Sequence, residues 1–247
     1  MVAGASEGLG AAFATELAAR GLNLVLVARR PDPLAALVAR LPALTRTVIA
    51  DLGTAEGIEA AGDAGAGVEL GLVVANAAYS PIGRFVDMGA DQSRRALMVN
   101  CHAPLELAHR FLPGMVARGR GGFVVMSSLA GMQGSPPISV YAATKAFGAI
   151  LAEGLWAELR GSGVDVVTCV AGAVETPGLA VTKTRRAPGT LTPDQVVTAT
   201  LRGLGRGPRT IPGLTMRVSS AVMSRLLPRR TAIAVIARAS RDLAPPA

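Results

Sequence analysis

Aromatic side chains make up only 3% of this 247-residue chain. A core must then be built from Ala, Val and Leu, which suits helices packed closely on a sheet and argues against a sandwich needing bulky fillers. The two cysteines, Cys101 and Cys169, stand far apart in apolar surroundings without C-x-x-C spacing. Buried, reduced thiols are expected from them, not a redox or metal motif. His102 and His109, the only histidines, have no ligand-spaced partners, so no metal site is expected. No apolar run reaches the roughly 18 residues of a membrane span, and the opening residues lack a signal-peptide pattern. A cytoplasmic protein is expected.

Acidic residues are also scarce where basic ones gather. From Lys183 onward twelve Lys and Arg residues face only Asp194 and Asp242, so the net charge of +8 belongs to the tail. That tail contains no Phe, Tyr or Trp, which removes the interleaving of bases and aromatics expected of a nucleic-acid partner. The arginines read as solvated helix faces. Between Leu214 and Arg238 they alternate with apolar residues such as Met216, Val218, Val222 and Leu226. Such a stretch seals a pocket, packs in an oligomer or rests on anionic lipid; packing is favoured over the membrane.

Half the residues are apolar, and this length suits one α/β domain. Residues 1–247 are read as a single dinucleotide-binding catalytic domain, with 177–247 forming a substrate-covering and C-terminal extension. Short Val-rich runs at Leu22–Ala28, Thr47–Ala50, Gly71–Ala75, Gly122–Met126 and Val164–Val170 predict strands buried on both faces. Helices are expected between them. One runs from near Leu9 to Gly21, one from about Asp91 to Met115 with Pro104 bending or interrupting it, and one from about Tyr141 to Arg160. The last is expected to bury Phe147, Leu151, Leu155 and Leu159 as its apolar stripe. This alternation predicts a Rossmann-like, doubly wound, mostly parallel sheet with helices on both faces.

The first turn reads Gly4-Ala5-Ser6-Glu7-Gly8-Leu9-Gly10 directly before a helix. Glycines there let backbone N–H groups and the helix N-terminus approach a pyrophosphate. The next strand ends in Ala28-Arg29-Arg30, where an NAD-selective site would place an acid for the adenosine ribose. A guanidinium at Arg29 instead pairs with a 2′-phosphate, so NADP(H) is favoured over NAD(H), with a merely solvated Arg29 as the rival. Asp51, Leu52 and Asn76 fall at C-terminal strand ends and are candidate adenine and ribose neighbours.

Tyr141 and Lys145 are four residues apart, on one face of a helix, and Ser128 ends a strand 13 residues earlier. A cation beside a phenol favours the phenolate, so Lys145 is expected to lower the Tyr141 pKa. Ser127 competes with Ser128, since only one of two successive strand residues points into a site; the spacing to Tyr141 favours Ser128.

The glycine turn, Asn76-Ala77, Asn100, Ser128, the Tyr141-x-x-x-Lys145 motif and Gly172 before Val174 and Thr176 together resemble the short-chain dehydrogenase/reductase family over about Val2 to Pro177. The resemblance implies that Tyr141 transfers a proton, Ser128 hydrogen-bonds the substrate oxygen, and Lys145 lowers the Tyr pKa and binds the nicotinamide ribose. Asn100 would hold a relay water. Gly4, Ser6, Gly8, Leu9, Gly10, Arg29, Asp51, Leu52, Asn76, Gly172, Val174 and Thr176, with Tyr141 and Lys145, would contact the cofactor. A homo-dimer or homo-tetramer is also implied.

The chain departs from the family at Ala3, where a Thr is usual, at Ala75-Asn76-Ala77-Ala78 and at Ala171-Gly172. Only Met1, Val2 and Ala3 precede the glycine turn. A central strand of about five to six residues is expected there, so an upstream natural segment is expected to complete it. Leu129, Met132, Pro136, Pro137, Ile138 and Val140 imply an apolar pocket for a ketone, aldehyde or secondary alcohol, with 177–189 as its cover. The alternative is a non-catalytic NADP(H)-binding sensor or scaffold. Such proteins commonly lose the Tyr or Lys of the motif, and here both are present.

Overall fold

The computed structural model describes residues 1–176 and 189–240. Its strands are β1 (Val2–Ala3), β2 (Leu24–Ala28), β3 (Thr45–Ile49), β4 (Leu72–Ala75), β5 (Gly121–Ser128), β6 (Val164–Ala171) and β7 (Arg209–Thr210). They form one sheet in the order β3-β2-β1-β4-β5-β6-β7, and every pairing is parallel. The order reverses between β1 and β4, and the crevice at such a reversal is where an open α/β sheet receives a ligand.

The helices are α1 (Gly8–Ala19), α2 (Pro31–Val38), α3 (Ala55–Asp63), α4 (Ala90–Leu97), α5 (Ala103–Ala117), α6 (Ser139–Glu158), α7 (Pro193–Gly203), α8 (Leu214–Ala221) and α9 (Arg229–Ala239). Alternation along each strand feeds two cores. Ala3, Val73, Phe123 and Val166 pack with Ile58, Leu107 and Ala152 from α3, α5 and α6 on one face. Val2, Val74, Val124 and Val167 pack with Phe13, Leu34 and Val196 from α1, α2 and α7 on the other. Small and branched residues thus fill both layers, as the aromatic-poor composition requires.

Several expectations need correction. β3 is an edge strand, so Arg46, Thr47 and Ile49 are exposed, not buried on both sides. The Asp91 to Met115 segment is interrupted before Pro104, by a π-helical turn at Met98–His102. Pro104 then sits in the first turn of α5, where its missing N–H costs no hydrogen bond. In α6 the buried side is made by small residues, Ala142, Gly148, Ala149 and Ala152, with Thr144 and Lys145. Phe147 is exposed, and Leu151 and Leu155 are only half-buried. Close approach of the helix to the sheet needs small side chains, which the periodicity of large ones does not reveal.

β1 comprises two residues, and Met1 continues its pairing by accepting from the Val74 N–H at 2.9 Å and donating to the Leu72 carbonyl at 2.6 Å. Cys169 is buried and Cys101 half-buried, both free. The expected cover at 177–189 lies, but for Gly189, outside the described residues. No helix among the described residues is long and apolar enough to cross a membrane.

Candidate active site

A cleft of about 780 Å³ opens at the C-terminal ends of β1, β2, β4, β5 and β6. Its floor is the glycine turn. Gly4 and Gly8 adopt φ of +82° and +56°, a left-handed region that disfavours a Cβ. Gly10 has a different reason: a Cβ there would lie 1.9 Å from the Gly4 carbonyl oxygen and 2.8 Å from the Asn76 side-chain nitrogen. The Asn76 amide donates to that same carbonyl at 2.8 Å, tying β4 to the turn. α1 begins at Gly8, and Glu7 before it makes no side-chain cap. The first amides of α1 therefore face the cleft without a protein acceptor from the cap residue, the arrangement that receives an anion at a helix N-terminus. These features fit a dinucleotide pyrophosphate.

β2 delivers Arg29 and Arg30 to the cleft wall. Arg30 pairs with Glu7 at 2.6 Å, whereas Arg29 is exposed and makes no ion pair or side-chain hydrogen bond among the described residues. Ser6, Gly8, Leu9, Leu52, Asn76, Gly172, Val174 and Thr176 also line the cleft. Gly10 lies behind the turn and Asp51 behind the wall. Asp51 accepts two hydrogen bonds from Arg95, at 2.9 and 2.6 Å, and one from the Gly53 N–H at 2.9 Å. Burial raises the Asp51 pKa, but those bonds and the Arg95 and Arg29 charges outweigh it and hold the carboxyl below its ordinary value.

β5 ends in Ser127 and Ser128, and the competition between them is decided by their partners. The Ser127 hydroxyl is buried and donates to the Lys145 carbonyl at 2.7 Å, fastening β5 to α6. Ser128 accepts from the Ala130 N–H at 3.2 Å and is the neighbour whose hydroxyl opposes the upward shift of the Tyr141 pKa. Tyr141 and Lys145 project from the first turns of α6, with Lys145 Nζ 5.6 Å from the centre of the Tyr141 ring. Lys145 is 5% exposed and donates to the Met126 carbonyl at 2.7 Å. Ser128, Tyr141 and Lys145 all line the cleft.

The electrostatics differ from expectation. Burial raises the Tyr141 pKa, and the Ser128 hydroxyl opposes it only in part. The same burial lowers Lys145 from 10.5 to about 8. Burial disfavours the charged form of each group, raising the acid and lowering the base, and it is the largest influence on both.

Asn100 is buried in the π-helical turn and lies outside the cleft wall. Its side-chain oxygen accepts from the Tyr79 N–H at 2.8 Å, and its amide donates to the Tyr79 carbonyl and the Thr144 hydroxyl, each at 2.8 Å. The side chain thus joins the loop after β4 to α6.

Of the six apolar residues expected beside the reacting carbon, only Ile138 lines the cleft. Met132 instead lies under the C-terminal helices, where Ser220 meets its sulfur at 3.0 Å and Arg229 donates to its carbonyl at 2.8 Å. Tyr79, Ser80, Ile82, Arg95 and Val99 line the cleft and were missed. Tyr79 to Ile82 follow the C-terminal end of β4, the switch-point strand, and that position was the available signal.

A family model described as "short chain dehydrogenase" matches residues 1–187. The chain is 31% identical over 217 residues to a very-long-chain 3-oxoacyl-CoA reductase of Mycosarcoma maydis, covering 83% of this chain and 61% of that protein. It is 32% identical over 186 residues to a 7beta-hydroxysteroid dehydrogenase of Collinsella aerofaciens, covering 72% and 70%. Among solved structures, one from work on 7beta-hydroxysteroid dehydrogenase stereoselectivity superposes with a TM-score of 0.90 at 27% identity, covering 95% of each chain. A Sphingobium yanoikuyae short-chain dehydrogenase in complex with NADPH gives 0.80 at 31% identity, covering 92% and 95%. With the glycine turn, the parallel sheet and the Ser128, Tyr141 and Lys145 cluster in place, the chain belongs to the short-chain dehydrogenase/reductase family, oxidoreductases acting on CH–OH and C=O groups.

Proposed function

We propose that this chain is an NADP(H)-dependent oxidoreductase that interconverts an apolar ketone or aldehyde and its alcohol, with Tyr141 as general acid and base. The observation that carries this reading is the convergence of Ser128, Tyr141 and Lys145 on the cleft that also holds the open N-terminus of α1. When bound, the nicotinamide supplies or accepts the hydride.

The residues of the chain manage the rest. Ser128 and Tyr141 direct hydroxyl groups at the substrate oxygen, where negative charge develops during carbonyl reduction. Because burial raises the Tyr141 pKa, the phenol keeps its proton at neutral pH and is ready to donate it. Lys145, fixed by the Met126 carbonyl, holds positive charge near the phenol and a donor for the nicotinamide ribose. Asn100 braces α6 through Thr144.

Arg29, without an ion pair among the described residues at the end of β2, supports the preference for a 2′-phosphate. The wall formed by Tyr79, Ile82, Val99 and Ile138 supports an apolar substrate. The matched relatives named for 3-oxoacyl-CoA and 7beta-hydroxysteroid conversion support a bulky one. A cytoplasmic homo-dimer or homo-tetramer remains part of this reading, supported by the family likeness and by the exposed apolar residues Phe147 and Ile150 on α6.

The test is NADPH consumption against a panel of bulky ketones and aldehydes, with Tyr141→Phe as control. The variant is expected to lose turnover and keep NADPH binding; an unchanged rate removes Tyr141 from the chemistry. Fluorescence titration with NADPH and NADH reads the cofactor preference separately.

A further inference from the structure

We infer that Glu7 is a specificity-determining residue that limits how strongly the cleft favours a 2′-phosphorylated cofactor, by holding Arg30 in an ion pair. The inference rests on the NADP(H) reading above and extends it to a residue of the glycine turn that carries the wrong charge for an anion site. β2 brings two guanidinium groups to the cleft wall, yet they are in different states. Arg30 is 2.6 Å from a Glu7 carboxylate oxygen. Arg29 is exposed and unpaired among the described residues. Glu7, Arg29 and Arg30 all line the cleft.

The pair does two things at once. Glu7 is the residue before α1, with extended backbone and no side-chain cap. A carboxylate beside a helix N-terminus is attracted to its first amides, which are the groups a pyrophosphate needs. Arg30 draws the carboxylate aside and leaves those amides open. In exchange, Arg30 is neutralised, so one net positive charge, Arg29, faces a phosphate that carries nearly two negative charges.

The two partners therefore have opposite roles. Removing the Glu7 charge frees a second guanidinium for the 2′-phosphate. Removing Arg30 releases a carboxylate toward the pyrophosphate and opposes either cofactor. Both side chains are about half exposed, so solvent screening keeps the effects moderate.

The experiment titrates wild type, Glu7→Gln, Arg30→Ala and the double variant with NADPH and with NADH, following nicotinamide fluorescence, and melts each by circular dichroism. Glu7→Gln is expected to tighten NADPH about three- to tenfold and to change NADH less than about twofold, since only the former carries a phosphate for the released guanidinium. Arg30→Ala is expected to weaken both cofactors, and the double variant to bind NADPH more weakly than Glu7→Gln. Should Glu7→Gln not fold, Glu7→Ser removes the same charge and keeps a residue suited to the start of a helix. An unchanged or reduced NADPH to NADH preference in the folded Glu7 variant overturns the inference. A wild-type protein that binds both cofactors equally would sink the NADP(H) reading instead, while the response to Glu7→Gln still decides the role of the pair.

Discussion

Replacing Lys145 by Met is expected to remove turnover without the stability loss that a core substitution usually brings. Lys145 is buried, and its pKa falls from 10.5 to about 8 because burial penalises the ammonium. At about 1.4 kcal/mol per pH unit, the folded state bears about 3 kcal/mol of unfavourable energy when this lysine is charged. Met removes that burden while filling similar space. Against it stands the lost hydrogen bond to the Met126 carbonyl at 2.7 Å, a loss of about 1–3 kcal/mol if the acceptor finds no substitute. The net expectation at pH 7 runs from no change to about 2 kcal/mol of stabilisation, or up to about 8 °C in Tm for a domain of this size.

The pH dependence identifies the cause. A folded pKa below the unfolded one means that the unfolded chain binds more protons between the two values, so stability rises with pH across that window. The penalty is full below about pH 8 and gone above about pH 10.5. The unfolding free energy of Lys145→Met minus that of wild type, measured by urea denaturation at pH 7, 9 and 10.5, should fall by about 3 kcal/mol over that interval and change sign, because above pH 10.5 only the lost hydrogen bond to Met126 remains. Taking the difference cancels the titrating groups that do not interact with Lys145; Cys101 and Cys169, which do, are raised by burial to about 11 and 12 and titrate above this window. Destabilisation of Lys145→Met by more than about 2 kcal/mol at pH 7, or a difference that does not change with pH, would refute the assignment of a desolvated ammonium.

Other perturbations separate the parts of the site. Gly10→Ala places a carbon 1.9 Å from the Gly4 carbonyl, so the turn must open; a stability loss of about 1–3 kcal/mol and at least about tenfold weaker NADPH binding should appear in thermal melts and titration. Arg29→Ala should weaken NADPH by about tenfold or more and leave NADH nearly unchanged; equal losses for both would show that Arg29 supports the fold instead. Asn100→Ala breaks three hydrogen bonds that brace the loop after β4 and α6, and should lower kcat and Tm together, whereas a fall in kcat with an unchanged Tm would show that its role is not bracing.

The sequence made the scaffold legible where local chemistry and tertiary placement agree. The Val-rich runs became strands because a parallel sheet buries both faces, and the family motifs lie on the strand ends and helix starts that the pattern implied. β3 misled because a five-residue run does not say whether it lies inside a sheet or at its edge; that depends on strand order. The apolar stripe of α6 misled for a related reason. Leu and Phe dominate any hydrophobicity pattern, yet the buried positions of α6 are Ala, Gly, Thr144 and Lys145, with Leu155 and Leu159 only partly buried against the same core. Asp51 and Asn76 stand out as candidate site residues at strand ends, but their partners, Arg95 and the Gly4 carbonyl, lie 44 and 72 residues away and belong to tertiary structure alone. The reversed shift of Tyr141 had the same origin, since proximity of a cation is readable in a four-residue spacing and the loss of water around both groups is not.

That shared desolvation links the chemistry of the site to the rest of the fold. Tyr141 is pushed toward its protonated form and Lys145 toward its neutral form by the same wall of β5 and α6. Neither shift would persist if α6 could lift from the sheet, because water would enter and both groups would return toward ordinary values. Ser127 bonded to the Lys145 carbonyl, Asn100 bonded to Thr144 and the small residues packed on β5 and β6 hold the helix down. These positions touch no reacting atom, yet they set the protonation states on which proton transfer depends. A substitution such as Ala152→Leu, which forces α6 outward from a fully buried site, should therefore move the Lys145 titration back toward 10.5 as well as lower stability. The Lys145 pKa, followed by NMR of the side-chain ammonium, separates this coupling from simple loss of packing: a destabilised variant with Lys145 still titrating near 8 would show that the helix position and the desolvation are independent.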